Sequence, residues 1–304
     1  FLCIFNVNAQ NKVRLTDDEY SVLRKDVVEN YAEHPLDAVS RASEYLATYA
    51  DQFTPQQHLK MFYAKAFYQI AAELYDDAHR TLIKCKTMAD ELNEPELSYY
   101  FHDYMALVLL ETENFELAIG SYLDALEVAK QTDDGGIIAR SHNNVGHILT
   151  LLEQYERAKP YIEFFYEYGK THTVWTYIAT GLNNLGEIAL ANNNIDTAKQ
   201  YFEQSLDIRK AQNYPLRSSW SYHNLGLVHY KLGEYQQAAM YLNQAIAIRA
   251  KYQRETEMIR SSLALVEAYF ALEQDQQAYD LLLTSIDQLK VKNQQSLLAS
   301  AYQM

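Results

Sequence analysis

The sequence predicts an all-α solenoid, a right-handed superhelix of antiparallel helix pairs, and three observations carry that prediction. The first is a ladder: Ala38, Ala78, Ala118, Ala158, Ala198, Ala238 and Ala278 stand at one forty-residue phase. Self-similarity at such a period marks stacked supersecondary units that bury their apolar faces only against their neighbours. The second is the periodicity inside a unit. Leu182, Leu185, Ile188 and Ala189, then Ala198, Tyr201, Phe202, Leu206 and Ile208, recur at helical spacing on either side of Asn192-Asn193-Asn194, and no stretch alternates as a strand does. The third is punctuation, because helix-breaking or first-turn residues recur once per forty at Pro55, Pro95, Gly135, Trp175 and Pro215.

Taken in order, the chain begins with the apolar run Phe1-Leu2-Cys3-Ile4-Phe5, followed by Val7 and Ala9 in the positions a signal peptidase reads. Residues 1–9 are therefore expected to be a signal-peptide remnant, with Gln10 as the mature N-terminus; the competing reading is a short apolar cap. Residues 16–54 form an N-terminal helical pair. Thr16-Asp17-Asp18-Glu19 supplies its N-cap and acidic first turn, and Pro35 opens its second helix. Full units follow at 55–94, 95–134, 135–174, 175–214, 215–254 and 255–293. Three residues before each alanine stand Tyr75, Phe115, Tyr155, Ile195 and Tyr235, and at that phase Pro35 and Asp275 mark degenerate outer units. Residues 294–304 start a further helix in mid-pattern, as expected of a repeat region cut from a longer protein. With nine Gly, five Pro and no linker composition, residues 10–304 read as a single solenoid.

The most regular stretch is Asn183-Asn184-Leu185-Gly186. It is echoed by Asn143-Asn144-Val145-Gly146 and by Asn224-Leu225-Gly226, each with an alanine twelve residues after the glycine. Two antiparallel helices approach closely only where a side chain is nearly absent. Gly146, Gly186 and Gly226 are thus expected, with Ala158, Ala198 and Ala238, at the crossings within each pair. These residues resemble the tetratricopeptide-repeat family: Tyr222, Leu225 and Gly226 answer its first block, and Ala238 and Leu242 its second. His142 and Leu182 replace the family's tryptophan, and Leu149 and Ala189 its tyrosine. The period is also longer, as in relatives found in bacterial peptide-responsive regulators, with the extra length expected in the second helix. The resemblance covers residues 16 to 304 and implies a scaffold that binds; the family alone does not say what.

Charge and composition remove several function classes. A net charge of −14 disfavours nucleic acid and anionic membrane surfaces, which select for basic patches. No apolar run is long enough to span a bilayer. Cys85 shares its phase with Ala125, Ser205, Ala245 and Ser285, so it reads as a small core residue. Nucleophile-elbow, phosphate-loop and metal-binding motifs are all missing from the sequence. His142 and His147, like His223 and His229, are not at ligand spacing on one helix face. The paired acids Asp17-Asp18, Asp76-Asp77 and Asp133-Asp134 sit at helix starts. The sequence points to no enzyme, no cofactor and no metal.

What remains is the asparagine ladder Asn144, Asn184 and Asn224, each two residues before a crossing glycine. Such a residue points about 200° round the helix from the crossing, toward the inner face of a superhelix. An amide there both donates and accepts, which suits an extended peptide backbone. The resemblance implies this role, because peptide-binding tetratricopeptide proteins commonly place an asparagine at this phase. The residues alone leave open that each amide ties its repeat to the next. Asn143, Asn183, Arg140, His147, Glu187, Trp220, His223, Tyr230 and Arg260 are expected on the same face. Earlier in the chain that face carries the more apolar Tyr63, Phe67, Ile70, Tyr100, Asp103 and Leu107.

The expected function is a non-catalytic peptide- or protein-binding module, in the resemblance an extracytoplasmic, periplasmic sensor region of a bacterial signalling protein. A membrane helix and an output domain such as a diguanylate cyclase or histidine kinase would follow it. The alternatives are a cytosolic peptide-pheromone-responsive regulator and an envelope-assembly scaffold. Residues 1 to 50 are too short for the N-terminal output module that the regulator reading calls for. A homodimer is compatible with each.

Overall fold

The computed structural model describes residues 14–30, 34–292 and 294–304, so the signal-peptide reading of residues 1–9 and the start at Gln10 lie outside the described residues. Among the described residues there are helices and turns and no strand. Helix α1 (Asp17–Lys25) is held by a reciprocal cap in which Thr16 Oγ accepts from the Glu19 amide at 3.3 Å and the Glu19 carboxylate accepts from the Thr16 amide at 2.8 Å. A π-helical turn, Asp26–Asn30, follows it. The array then runs through α2 (Pro35–Thr48), α3 (Pro55–Ala71), α4 (Tyr75–Leu92), α5 (Pro95–Glu111), α6 (Phe115–Ala129), α7 (Gly135–Leu151) and α8 (Tyr155–Thr171). It continues with α9 (Trp175–Ala191), α10 (Ile195–Ala211), α11 (Pro215–Lys231), α12 (Tyr235–Lys251), α13 (Glu255–Ala271), α14 (Asp275–Lys292) and α15 (Gln295–Gln303). Both ladders read from the sequence therefore mark first helical residues, where proline's fixed φ and missing N–H do no harm.

From α7 to α13 each helix is seventeen residues long. The forty-residue period is thus divided evenly, and the added length is not confined to the second helix. The turns between them are alike. After α9 the Asn194 amide returns to Ala189 O at 2.8 Å and the Asn193 amide to Leu190 O at 3.1 Å, while Asn193 takes a left-handed φ of 59°. This is a Schellman closure, which satisfies carbonyls that the helix end leaves open.

The helices pack as two compact units, one ending at Val108 and the other beginning at Leu109, with the division inside α5. The first unit has a core of Tyr20, Val27, Ala38, Ala42, Leu46, Phe53, Met61 and Tyr68, and the Tyr68 hydroxyl donates to Val28 O at 2.9 Å. Tyr63, Phe67, Tyr100 and Tyr104 form a ring cluster, with centroids 5.7 Å apart for Phe67 and Tyr104 and 5.8 Å for Tyr63 and Tyr100. Cys85 is fully buried, and burial pushes its thiol up to about 12, so it is an inert packing group.

The second unit shows the crossings. Ala118, Ala158, Ala198, Ala238 and Ala278 are completely buried. A Cβ added to Gly186 would stand 2.6 Å from Phe202 Cε1, one on Gly146 2.5 Å from Ile162 Cγ1, and one on Gly226 2.6 Å from Leu242 Cγ. The three glycines are therefore where the sequence put them, at contacts that no side chain fits. With the crossing fixed, the opposite edge of each first helix is free to carry polar residues.

Candidate functional site

The asparagines sit on α7, α9 and α11 of the second unit. Asn184 Nδ2 donates to Asn143 Oδ1 at 2.8 Å, and Asn224 Nδ2 donates to Glu187 Oε1 at 2.9 Å and to Asn183 Oδ1 at 3.4 Å. Asn183 Nδ2 also reaches Glu187 Oε1, at 2.8 Å, and Asn143 Nδ2 contacts Asn144 Oδ1 at 3.4 Å. One amide network thus ties three repeats, with Glu187 collecting donors from two of them. Asn184 and Asn224 are 6% and 7% exposed, whereas Asn143 and Asn144 are half-buried. The Oδ1 atoms of Asn184 and Asn224 accept no hydrogen bond among the described residues, and neither is sealed from solvent. Their amide nitrogens are held by neighbours and their oxygens remain open as acceptors.

Around this network the structure draws several expected residues together. Half-buried His147 of α7 is pulled down chiefly by burial, while Glu187 of α9 pulls it up and Arg260 of α13 pulls it further down. Residues from three first helices therefore share one electrostatic neighbourhood. His223 is buried with Nδ1 3.0 Å from Ser261 Oγ, and burial, then Arg249 and Arg260, hold it well below the usual imidazole range. Arg140 is half-buried on α7, and Arg260 is exposed. Tyr230 stands apart, its ring 5.5 Å from Tyr235 at the α11–α12 turn and its hydroxyl raised by burial and by Glu267. Trp220 lies against cations, with the Arg217 guanidinium 3.9 Å over its ring and that of Arg209 at 5.6 Å.

Arg209 and Arg249 escaped the reading of the sequence. They lie on second helices at one forty-residue phase, where other repeats have Ala89, Ala129, Gly169 and Leu289. Both are buried, at 1% and 3% exposure. Arg209 Nη1 donates to Arg217 O and to Ser221 Oγ, both at 2.9 Å. Arg249 Nη1 repeats this with Glu257 O at 2.6 Å and with Ser261 Oγ. Burial, then Arg217, pulls Arg209 down to about 9, and burial pulls Arg249 to about 10, so both stay charged near neutrality. The available signal was a pair of long cations at a phase otherwise small or apolar.

Residues 177–251 and residues 139–163 each match the tetratricopeptide repeat, and these are the repeats that carry the amide network. These two stretches are tetratricopeptide repeats. No curated protein matches this chain. Among solved structures it is similar to a Rap protein complexed with Competence and Sporulation Factor, at a TM-score of 0.75 and 16% identity over 93% of this chain and 80% of that one. NprR in complex with its cognate peptide NprX gives a TM-score of 0.71 at 15% identity over 94% and 82%. The apo quorum sensor NprR from B. thuringiensis gives 0.58 at 18% over 90% and 88%. At these identities the likeness is one of fold. Among the described residues no helix is long and apolar enough to cross a membrane.

Proposed function

We propose that this chain is the non-catalytic, ligand-binding array of a peptide-responsive regulator and that it takes an extended peptide on the face built by α7, α9, α11 and α13. The observation that carries the reading is the pinned amide pair. Neighbouring repeats hold the nitrogens of Asn184 and Asn224, so their two oxygens are oriented in advance as acceptors for peptide N–H groups. Acceptors fixed before binding lose little entropy when a ligand arrives. The fold likeness to Rap and NprR structures that contain peptides supports the same ordering. It favours the regulator over the extracytoplasmic sensor, which the sequence alone put first.

The test is panning of the immobilised protein against a random heptapeptide library, followed by calorimetric titration of the retained peptide. Asn184→Asp keeps the acceptor and loses the donor to Asn143, whereas Asn184→Ala loses both. The expected loss of affinity for the alanine variant is about tenfold or more, measured where the variant is folded, with the aspartate variant in between because its carboxylate still accepts but is no longer held by Asn143. Wild-type affinity in Asn184→Ala, or no retained peptide at all, would overturn the proposal. Recovery outside the cytoplasm of a mature form beginning at Gln10 would instead restore the sensor reading.

A further inference from the structure

Arg209 and Arg249 make the same structural link, yet only one of them is left incomplete. In both, Nη1 alone ties a second helix to the next first helix through one carbonyl and one serine hydroxyl. Arg249 also uses Nε, on Ser219 Oγ at 3.4 Å, and the carboxylate of Glu257 is its foremost favourable charge. Arg209 has less relief, because Glu187, its foremost favourable charge, ranks behind the unfavourable cation Arg217. The Nη2 of Arg209 is buried and bonded to nothing, and no carboxylate is within ion-pair distance among the described residues. A buried guanidinium held only by neutral acceptors is costly, and a guanidinium N–H without a partner adds to that cost. The link between helices does not explain Nη2, because Arg249 makes that link without leaving any such atom sealed and unbonded.

Beside Arg209 stand a second cation and an indole. Arg217 is half-buried with its guanidinium 3.9 Å over the half-buried indole of Trp220, and Tyr214 is the neighbour that most favours its charge. Arg209 sits against the same indole from deeper in the fold. Two cations and a planar wall therefore converge in a chain whose net charge is −14. Trp220 and Asn224 are one helical turn apart on α11, so this cluster adjoins the open amide acceptor of the proposed groove.

We propose that Arg209, Arg217 and Trp220 form a carboxylate-binding subsite, and that the peptide this protein recognises presents an acidic side chain or its own C-terminal carboxylate there. This rests on the peptide-binding reading and specifies its ligand class. A carboxylate matches the planar N–H fork of a guanidinium and supplies the single negative charge the cluster lacks. A dianion such as a phosphoryl group is disfavoured, since Glu187 and Glu257 lie within electrostatic reach of the two arginines. Movement of the Trp220 indole on entry would open Nη2 to the ligand.

The experiment uses the same heptapeptide library in two forms, one with free C-termini and one amidated. Each retained peptide is then resynthesised with Glu→Gln and Asp→Asn replacements, with a phosphoserine twin, and with its terminus exchanged. An acid-over-amide preference of about tenfold is expected. Arg217→Gln should reduce that ratio to near unity and leave binding of the amide twin unchanged, with its melting curve confirming the fold. Preference lodged in the amidated library assigns the site to a side chain; preference lodged in the free-acid library assigns it to the terminus. In a Trp175→Phe background the acidic peptide should also shift Trp220 emission. Retained peptides without acid preference, a stronger phosphoserine twin, or an unchanged ratio in Arg217→Gln would each overturn the subsite and spare the peptide groove. If neither library is retained, both readings fall together.

Discussion

Asn184 gives its amide hydrogen to Asn143 Oδ1 at 2.8 Å across forty-one residues of chain, so the most regular motif of the sequence joins one repeat to the one before it. The network continues through Asn183, Glu187 and Asn224 into the next repeat. In a solenoid most of the stability is set at each interface between neighbours, and here the contacts of Gln294 with Glu111 and of Ser296 with Glu113 add to it across 183 residues. Polar bonds at those interfaces also fix the rotation of one repeat on the next, and that rotation sets the spacing of the unbonded Oδ1 acceptors. Stability and the geometry of the proposed peptide site therefore share the same amides.

Asn184→Ala removes that bond and leaves Asn143 Oδ1 without its donor. A loss of about 1–2 kcal/mol is expected from urea denaturation followed by circular dichroism. Combining it with Asn143→Ala should cost less than the sum of the two single changes, because the second removes a group already stranded. Strict additivity would show that the two amides do not act as a pair.

The crossings offer a sharper contrast. Gly186→Ala drives a methyl group to 2.6 Å from Phe202, while a Cβ on Gly120 of α6 meets nothing within 4 Å. The first change should destabilise by about 1–3 kcal/mol through overpacking, and adding Phe202→Leu should recover part of it. The second should stabilise by about 0.5–1 kcal/mol, as alanine does in place of glycine within a helix. Equal effects at the two sites, read from denaturation midpoints, would contradict the placement of Gly186 at a crossing.

The helix starts and the crossings were legible because both repeat. The same steric demand recurs every forty residues, so it appears in the sequence as a ladder that one chain suffices to show. The direction taken by the asparagine amides was not legible, since it depends on the rotation between repeats, which periodicity does not encode. Grouping by phase did bring His147, Glu187 and Arg260 to one neighbourhood, yet it could not separate out Tyr230, which turns to Tyr235. Arg209 and Arg249 were missed for the opposite reason: they depart from the repeat, and attention to a consensus discards departures. The division at Val108 and Leu109 falls inside α5, where helical composition continues unbroken, so no linker signal marked it.

The turns carry a cost that sequence change can relieve. Glu273 adopts a left-handed φ of 59°, where Gly233 at the corresponding turn has a φ of 77° with open space around its Cα. Left-handed backbone costs an L-residue about 1–2 kcal/mol. Glu273→Gly should therefore stabilise the fold, less glycine's own entropy cost of about 0.5–1 kcal/mol. Gly233→Ala should destabilise by about 1 kcal/mol. Thermal melts of the two variants are expected to move in opposite directions, and a shared direction would reject turn strain as their cause.

Acid should weaken the second unit through His223, whose ring is buried against Ser261 with Arg249 and Arg260 as the charges that act on it. Its folded pKa lies well below the ordinary value of 6.5, so below that value the unfolded chain binds a proton that the native ring refuses. The contribution of the neutral ring is thus complete above about pH 6.5 and is lost progressively as pH falls through that value. The limiting slope is about 1.4 kcal/mol per pH unit for one proton. His58, His142 and His147 are also shifted downward and add to the same slope, whereas Glu267, raised by burial, gains a proton that favours the native state and opposes it. Total slope is therefore a poor measure of His223, and the informative quantity is a difference. His223→Gln retains a polar group for Ser261 and does not titrate, while the other four groups titrate in both proteins. Urea midpoints taken between about pH 7.5 and pH 5.5 should fall less steeply for the variant than for wild type. Parallel lines would mean that the native ring takes its proton as readily as the unfolded one, which burial against two arginines forbids.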